Sequence, residues 1–462
     1  MALVGPSPSS DVGGVRSEPL SSESTKALNQ LARPVSGAVD DYDELLTLID
    51  GRQLVFIGEA SHGTHEFYRE RARITRRLID ERGFNVVAIE GDWPDAYRVN
   101  RYILDASHDT DANTSLGGFR RFPTWMWRNR DVLTFVQWLR ASNEAKSNPT
   151  AKVRFYGLDL YSLRASIEAV VEYLEDVDPG EARRARERYS CFDHVGADGQ
   201  EYGYALATGV ADPCEDAVIA QLLELRSRSD EYVLRDGIAN EDEQFYAEQN
   251  ARLVHDAEEY YRLMYRANVS SWNLRDSHMA STLDDLVEHL NHRSAPAKVV
   301  VWAHNSHVGD ARATSMGARG ELNIGQLARE RYGDNAMLIG FSTNSGHVTA
   351  ASDWGGPTER KRVRSARPDS HEAMFHAAGI HQFWLPTCDL TTDEELARTR
   401  LERAIGVIYR PESELQSHYF EASLIGQFDA VIHIDHSRAL EPLELTPLWD
   451  AGEPSETYPS GL

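Results

Sequence analysis

Long apolar runs are missing from this sequence of 462 residues. No window of about 18 uninterrupted apolar residues occurs, which excludes a helical membrane span. Cysteine is scarce. Cys191, Cys214 and Cys388 are odd in number, widely spaced and without a metal-ligand pattern, which fits a reducing compartment better than a disulfide scaffold. Lysine is confined to Lys26, Lys146, Lys152, Lys298 and Lys361, so arginine carries nearly all the positive charge. A net charge of -25 argues against nonspecific binding to nucleic acid or anionic lipid. The Gly-x-Ser-x-Gly elbow, the Walker loop and the dinucleotide fingerprint are all absent, which disfavours the usual serine hydrolase and nucleotide-binding classes. Met1 to Lys26 lacks a basic-then-apolar signal pattern and is rich in Ser, Pro and Gly. It reads as a mobile leader on a cytoplasmic protein.

What is present is concentrated first at Val55 to Phe67, where an apolar run breaks into acids, imidazoles and glycines. Leu54 to Ile57 reads as a short buried strand. Gly58 and Gly63 permit close backbone approach, and Thr64 is the expected cap of the helix that follows. Glu59 and His62, three residues apart, can share one side of a tight turn. A carboxylate that orients an imidazole and stabilises its charged form is the simplest neutral-pH general base. The plainer reading of the same residues is a polar helix entrance with surface histidines.

In chain order, Val39 to Ile49 predicts a helix ahead of this strand. Glu66 to Arg82 predicts one after it, with Phe67, Ile74, Leu78 and Ile79 at helical spacing. Arg71 lies on the inner part of that second helix, either at the site or on a solvated face. Asn85 to Trp93 repeats the plan of a strand ending on a carboxylate, Glu90, before glycine. The length fits a right-handed βαβ unit, so Glu59 and Glu90 are expected at the same end of adjacent parallel strands. After a helix at Asp95 to Ile103 come Phe119, Phe122, Trp125 and Trp127, which either pack a loop or wall an apolar pocket.

A helix at Asp131 to Asn143 leads to a third strand, which ends on Asp159. Tyr161 to Leu290 then reads as helix throughout, including Asp212 to Arg228 with Asp212 as cap and Pro213 in the first turn, Asn240 to Tyr265, and Ser271 to Leu290. Lys298 to Ala303 resumes the strand pattern and exits on His304-Asn305-Ser306-His307. Beyond it are expected a helix at Ile324 to Tyr332 and strands at Ala336 to Ser342, His347 to Ala351, Phe383 to Leu385 and Ala430 to Ile434. Between the last two, Tyr409, Arg410, His418, Tyr419 and Phe420 are candidates for a pocket wall.

The predicted fold is α/β, a central, mainly parallel sheet flanked by helices with a large all-helical insertion. Residues 27–160 and 293–462 form the two parts of the core, and 161–292 form an insertion placed to act as a lid. Ligands of open α/β sheets bind outside the carboxyl ends of the strands. Four strand candidates here end on Glu59 with His62, on Glu90, on Asp159, and on His304 with His307. Acid-plus-imidazole chemistry on water, or the same residues holding a metal, is what remains.

Gly-Glu-x-x-His-Gly at Gly58 to Gly63, Ile-Glu-Gly-Asp at Ile89 to Asp92 and Trp-Ala-His-Asn-x-His at Trp302 to His307 resemble the erythromycin esterase family. The likeness extends to Trp125-Met126-Trp127-Arg128, Gly157-Leu158-Asp159, Arg275-Asp276-Ser277-His278-Met279 and Phe428-Asp429-Ala430. The resemblance implies a hydrolase in which a histidine activates water to open a small-molecule ester or macrocyclic lactone without a covalent intermediate or cofactor. His62 would be the base and Glu59 its support, with Glu90, Arg71, His304 and His307 completing the polar cluster. Two alternatives use the same cleft: a hydrolase or peptidase with a divalent metal held by these side chains, and an iron- or haem-binding protein without turnover.

Overall fold

The computed structural model describes residues 20–193, 199–229, 231–232, 241–265, 268–292 and 296–452. Of the expected leader, residues 1–19 lie outside the described residues. The helix Ser22–Leu31 begins within the rest of it, capped by Ser21, whose hydroxyl accepts from the Ser24 N–H.

Eleven strands follow among the described residues: β1 (Arg33–Pro34), β2 (Leu54–Ile57), β3 (Val86–Asp92), β4 (Arg154–Asp159), β5 (Val299–Trp302), β6 (Ala336–Ala350), β7 (Glu359–Val363), β8 (Gln382–Pro386), β9 (Arg400–Arg403), β10 (Tyr419–Ala422) and β11 (Ala430–Ser437). The main sheet runs β1-β8-β11-β6-β2-β5-β3-β4, with β7 added to β6, while β9 and β10 pair separately. From β11 to β4 every pairing is parallel. Strands β1, β8 and β7 are antiparallel additions.

Glu59 and Glu90 do not follow adjacent strands, as the βαβ spacing predicts. β5 lies between β2 and β3, and its register aligns Ile57, Trp302 and Ile89 across the three. The carboxyl ends of three buried strands therefore meet on one line. That apposition brings the polar residues after each of them together.

Alternate side chains of these strands enter two different cores. Leu54, Phe56, Val86, Ala88, Val299 and Val301 face the helices of the insertion. Val55, Ile57, Val87, Ile89, Val300 and Trp302 face the layer that includes the helices Asp43–Ile49, His65–Arg82 and Arg130–Glu144. Strands buried on both faces must be apolar throughout, which is why the sequence shows runs rather than alternation. Fully burying each such Val, Ile or Leu contributes about 1.5–3 kcal/mol relative to exposure.

Between β4 and β5 the described residues form helices and no strand. The expected helix Asn240 to Tyr265 is seen as Glu241–Leu263; Asn240 lies outside the described residues. The helix expected from Asp212 starts later, at Glu215, with Cys214 in the cap position. Cys214 is held off the helix by its amide, which donates to the Tyr202 hydroxyl at 2.9 Å, and by a disulfide to Cys191 with Cα atoms 5.9 Å apart. This pairing runs against the expectation that the cysteines fit a reducing compartment better than a disulfide scaffold.

Two further expectations change. The helix predicted from Val39 begins at Asp43. The strands expected at Ala336 to Ser342 and His347 to Ala351 are one strand, β6, which runs past the sheet's edge and pairs there with β7. Among the described residues no helix is long and apolar enough to cross a membrane.

Candidate functional site

A cleft of about 680 Å³, partly open to solvent, lies at the carboxyl ends of the parallel strands. Its polar floor includes His62, Glu90, Asp92, Asp159, Arg121 and Arg275. The turn after β2 reaches this floor because its glycines sit where a side chain has no room. A Cβ on Gly58 would lie 2.2 Å from Asn305 Oδ1, and one on Gly63 would lie 1.8 Å from the Thr349 carbonyl oxygen. The Thr64 hydroxyl does not cap the helix His65–Arg82 as expected. It pairs with the Ser61 hydroxyl instead.

Glu59 is buried beneath His62 and bridges two partners. One oxygen lies 2.9 Å from His62 Nδ1 and the other 2.9 Å from Arg71 Nη2. With the carboxylate paired to a guanidinium, Nδ1 carries the hydrogen and donates it to Glu59, leaving the lone pair on Nε2. His62 is 7% exposed and lines the cleft. Arg71 is 0% exposed and lies behind Glu59, its guanidinium over the rings of Tyr68 and Trp302 at 4.3 and 5.1 Å. It orients the carboxylate rather than lining the cleft.

A second network holds Glu90. Its Oε1 is 2.7 Å from Arg275 Nη2 and 3.3 Å from His307 Nε2, and its Oε2 accepts from the His304 N–H at 2.8 Å. Burial pushes the Glu90 carboxyl up, but the charges of His307 and Arg275 outweigh it and hold the group well below the carboxylate range. Arg275 also grips Asp159 through Nε at 3.0 Å and Nη2 at 2.7 Å. Its guanidinium lies over one face of Tyr161 at 4.8 Å, and Arg121, paired to Asp92, lies over the same ring at 4.6 Å.

The two histidines after β5 differ in charge. His307 Nδ1 is 2.9 Å from Asp276 Oδ1, and its ring stacks on Trp272 at 4.6 Å. Burial works against its positive charge, but Asp276 and Glu90 prevail and raise it to about 9. The ring is therefore an imidazolium at neutral pH. Arg275 Nη1 lies 3.0 Å from Nε2, a contact between two donors once the ring is charged; the Nε2 hydrogen accordingly goes to Glu90. Burial and the neighbouring His62, whose ring centroid is 4.8 Å away, push His304 well below the ordinary imidazole value. His304 is neutral, and its Nδ1 accepts from the Ser306 N–H at 3.2 Å.

The opposite wall is apolar: Phe119, Phe122, Met126, Trp127, Trp354 and Val407. Trp127 is fixed by its indole N–H, which donates to the Glu90 carbonyl at 3.2 Å. Phe122 and Trp354 meet edge to face at 5.1 Å at the cleft. Of the expected aromatic cluster only Trp125 is packed wholly into the core. Of the residues proposed for a wall between β8 and β11, none lines this cleft, though Val407 from the same segment does.

Glu59, His62, Arg71, Glu90, His304 and His307 are thus brought into one connected region. The metal alternative fits poorly: Glu59 and Glu90 are each engaged by an arginine, and His307 by two carboxylates. Among the described residues no three His, Cys, Asp or Glu side chains are grouped to hold an ion. Sequence reasoning missed Arg275 and Asp276 as site residues. Their signal was the Arg275-Asp276-Ser277-His278-Met279 motif, not anything in the helical pattern around them.

Comparison with known proteins places this geometry in context. The model of the family described as erythromycin esterase matches residues 79–437. The chain is similar to an erythromycin esterase type II of Escherichia coli, 22% identical over 424 residues that cover 87% of this chain and 94% of that protein. It is also similar to the putative hydrolase YbfO of Bacillus subtilis strain 168, 23% identical over 411 residues and 85% of each chain. Among solved structures, a succinoglycan biosynthesis protein superposes with a TM-score of 0.71 at 21% identity, over 91% of this chain and 98% of that one. A mutant of the erythromycin esterase EreC in its open conformation superposes with a TM-score of 0.66 at 18% identity, over 91% and 98%. At these identities the superpositions establish the shared fold.

Proposed function

The chain belongs to the erythromycin esterase family, and from that premise we propose that it hydrolyses a small-molecule ester or macrocyclic lactone with water activated by His62. The observation that carries this reading is the His62 ring at the cleft wall with Nδ1 tied to Glu59. That tie fixes the tautomer and leaves Nε2 as the basic nitrogen.

In the proposed reaction a water gives one proton to His62 Nε2 as its oxygen bonds the substrate carbonyl carbon. The carbonyl electron pair moves onto oxygen, and the positive charge of Arg275 on the floor favours that oxyanion. Collapse breaks the bond to the alcohol oxygen, which takes the proton back from Nε2. Products are a carboxylic acid and an alcohol, joined in one molecule when the substrate is a lactone. Glu59 stabilises the transient imidazolium, and Arg71 pairs with Glu59 and holds it in place. The apolar wall of Phe119, Met126, Trp127 and Val407 takes the hydrocarbon body of the substrate. No covalent intermediate and no metal are needed.

A panel of esters and lactones assayed with wild type and His62→Ala, with and without a chelator, tests this. Base catalysis of this kind contributes about a hundred- to ten-thousand-fold, so the variant should lose at least about a hundredfold in turnover, and the chelator should change nothing. Near-wild-type turnover by a folded His62→Ala protein would overturn the assignment.

A further inference from the structure

Behind the segment carrying His304 and His307, two carboxyls face each other out of reach of water. Glu402 on β9 and Glu372 on the helix His371–His376 are both buried. Glu372 Oε1 accepts from the Arg403 N–H at 2.9 Å. Among the described residues no cation pairs with Glu402. The nearby Arg403 guanidinium is turned to Glu414 at 3.1 Å and to the carbonyls of Thr343, Asn344 and Arg364. The groups that face Glu402 are Glu372, Asn305 and Gln427.

Among the described residues, three oxygens of this cluster have no hydrogen-bond partner: Glu402 Oε2, Glu372 Oε2 and Gln427 Oε1. Buried acceptors without donors are rare in folded proteins, and each one calls for a physical reason. One proton on Glu402 removes one of the two opposed charges. The facing carboxyls cannot both ionise cheaply out of water. Burial, and Glu372 opposite, raise Glu402 to about 8.

Asn305 is where this pair meets the site. Its Nδ2 donates to the Phe341 carbonyl at 2.7 Å and to Glu402 Oε1 at 3.3 Å. Its Oδ1 accepts from the Phe341 N–H at 3.2 Å, and its own N–H donates to the Glu59 carbonyl at 2.8 Å. Asn305 thereby ties the exits of β2 and β5 to the middle of β6, with His304 directly before it. We propose that Glu402 is a positioning residue: held neutral, it fixes Asn305 and through it the alignment of Glu59 and His304. Ionised, Glu402 sets a second buried charge against Glu372, and the segment that holds Asn305 shifts to relieve it.

The test compares wild type, Glu402→Gln and Glu402→Ala from pH 5 to 10, by melting temperature and by kcat/KM on an ester found in the panel above. Only the kinetic arm rests on the hydrolase reading. Between about pH 4.5 and 8 the folded carboxyl keeps a proton that the unfolded one has released, so the wild type should lose melting temperature there. Glu402→Gln lacks that slope, and the gap in its favour should widen with pH. Its activity at pH 7 should stay within about threefold of wild type, while the wild-type fall above about pH 8 moves to higher pH. Glu402→Ala should lose about tenfold or more in kcat at every pH with KM unchanged. Parallel melting curves for wild type and Glu402→Gln would overturn the proposal, as would a folded Glu402→Gln protein inactive at pH 7. If Glu402→Gln does not fold, Glu372→Gln decides. Removing the facing charge should flatten the wild-type slope, and an unchanged slope overturns the assignment. If no ester is turned over, the hydrolase reading fails, and the melting curves still judge Glu402.

Discussion

Replacing His307 by Gln should cost stability at neutral pH and cost almost nothing above pH 10. The folded imidazole titrates at about 9 because Asp276 and Glu90 flank it, against an ordinary value of 6.5. At about 1.4 kcal/mol for each tenfold change in proton affinity, that displacement is worth about 3 kcal/mol. The folded value lies above the unfolded one. The contribution is therefore complete below about pH 6.5 and disappears as pH rises through 9. Glutamine cannot carry the charge, so His307→Gln should be less stable than wild type by about 3 kcal/mol at pH 6, with the gap closing toward zero by pH 10. Urea unfolding of both proteins at pH 6, 8 and 10 measures it, each pair at one pH so that other titrating groups cancel. A gap of constant size across that range would refute the imidazolium and leave His307 as a neutral packing residue.

Arg71→Met leaves Glu59 buried without its cation. It should cost about 3–5 kcal/mol of stability, the range for breaking a buried pair. Turnover should fall by about a hundredfold with KM nearly unchanged, because Arg71 does not line the cleft; a rise in KM with kcat intact would place it on the substrate. Trp354, 39% exposed and paired edge to face with Phe122, should matter to substrate choice. Trp354→Ala is expected to raise KM for a bulky apolar ester by about tenfold, the upper end of one aromatic contact, and to leave KM for a short-chain ester unchanged. An equal effect on both esters would count against it.

The residues at strand exits were legible because each follows a short apolar run: Glu59 and His62 after β2, Glu90 within β3, Asp159 at the end of β4, His304 and His307 after β5. Their neighbour relations were not. The placing of β5 between β2 and β3 depends on pairings across more than two hundred residues, and local pattern carries no trace of them. β7 was invisible for another reason: Glu359-Arg360-Lys361-Arg362-Val363 has one apolar residue and pairs with the overhang of β6. Arg275 sits in a long helix, where nothing in the spacing separates a half-buried arginine with two carboxylate partners from the solvated arginines of the chain. The Cys191–Cys214 bond was not legible in the spacing because the pairing is set by the packing of the insertion's helices.

The place of β5 has a consequence for the order in which the protein can be made. A ribosome delivers β2, β3 and β4 early, but β2 and β3 cannot take their native places until β5 arrives and is seated between them. Until then a nascent chain carries β2 and β3 with unpaired edges, the kind of surface that attracts other chains. It also lacks His304 and His307, so Glu90 is without the imidazolium that flanks it in the folded protein. Closing so long a loop is slow relative to local helix formation. The helices of the insertion, which can form locally in the meantime, bury the very face of the sheet that the incomplete strands expose. Premature termination anywhere before Trp302 should therefore give aggregation-prone chains rather than weakly active ones.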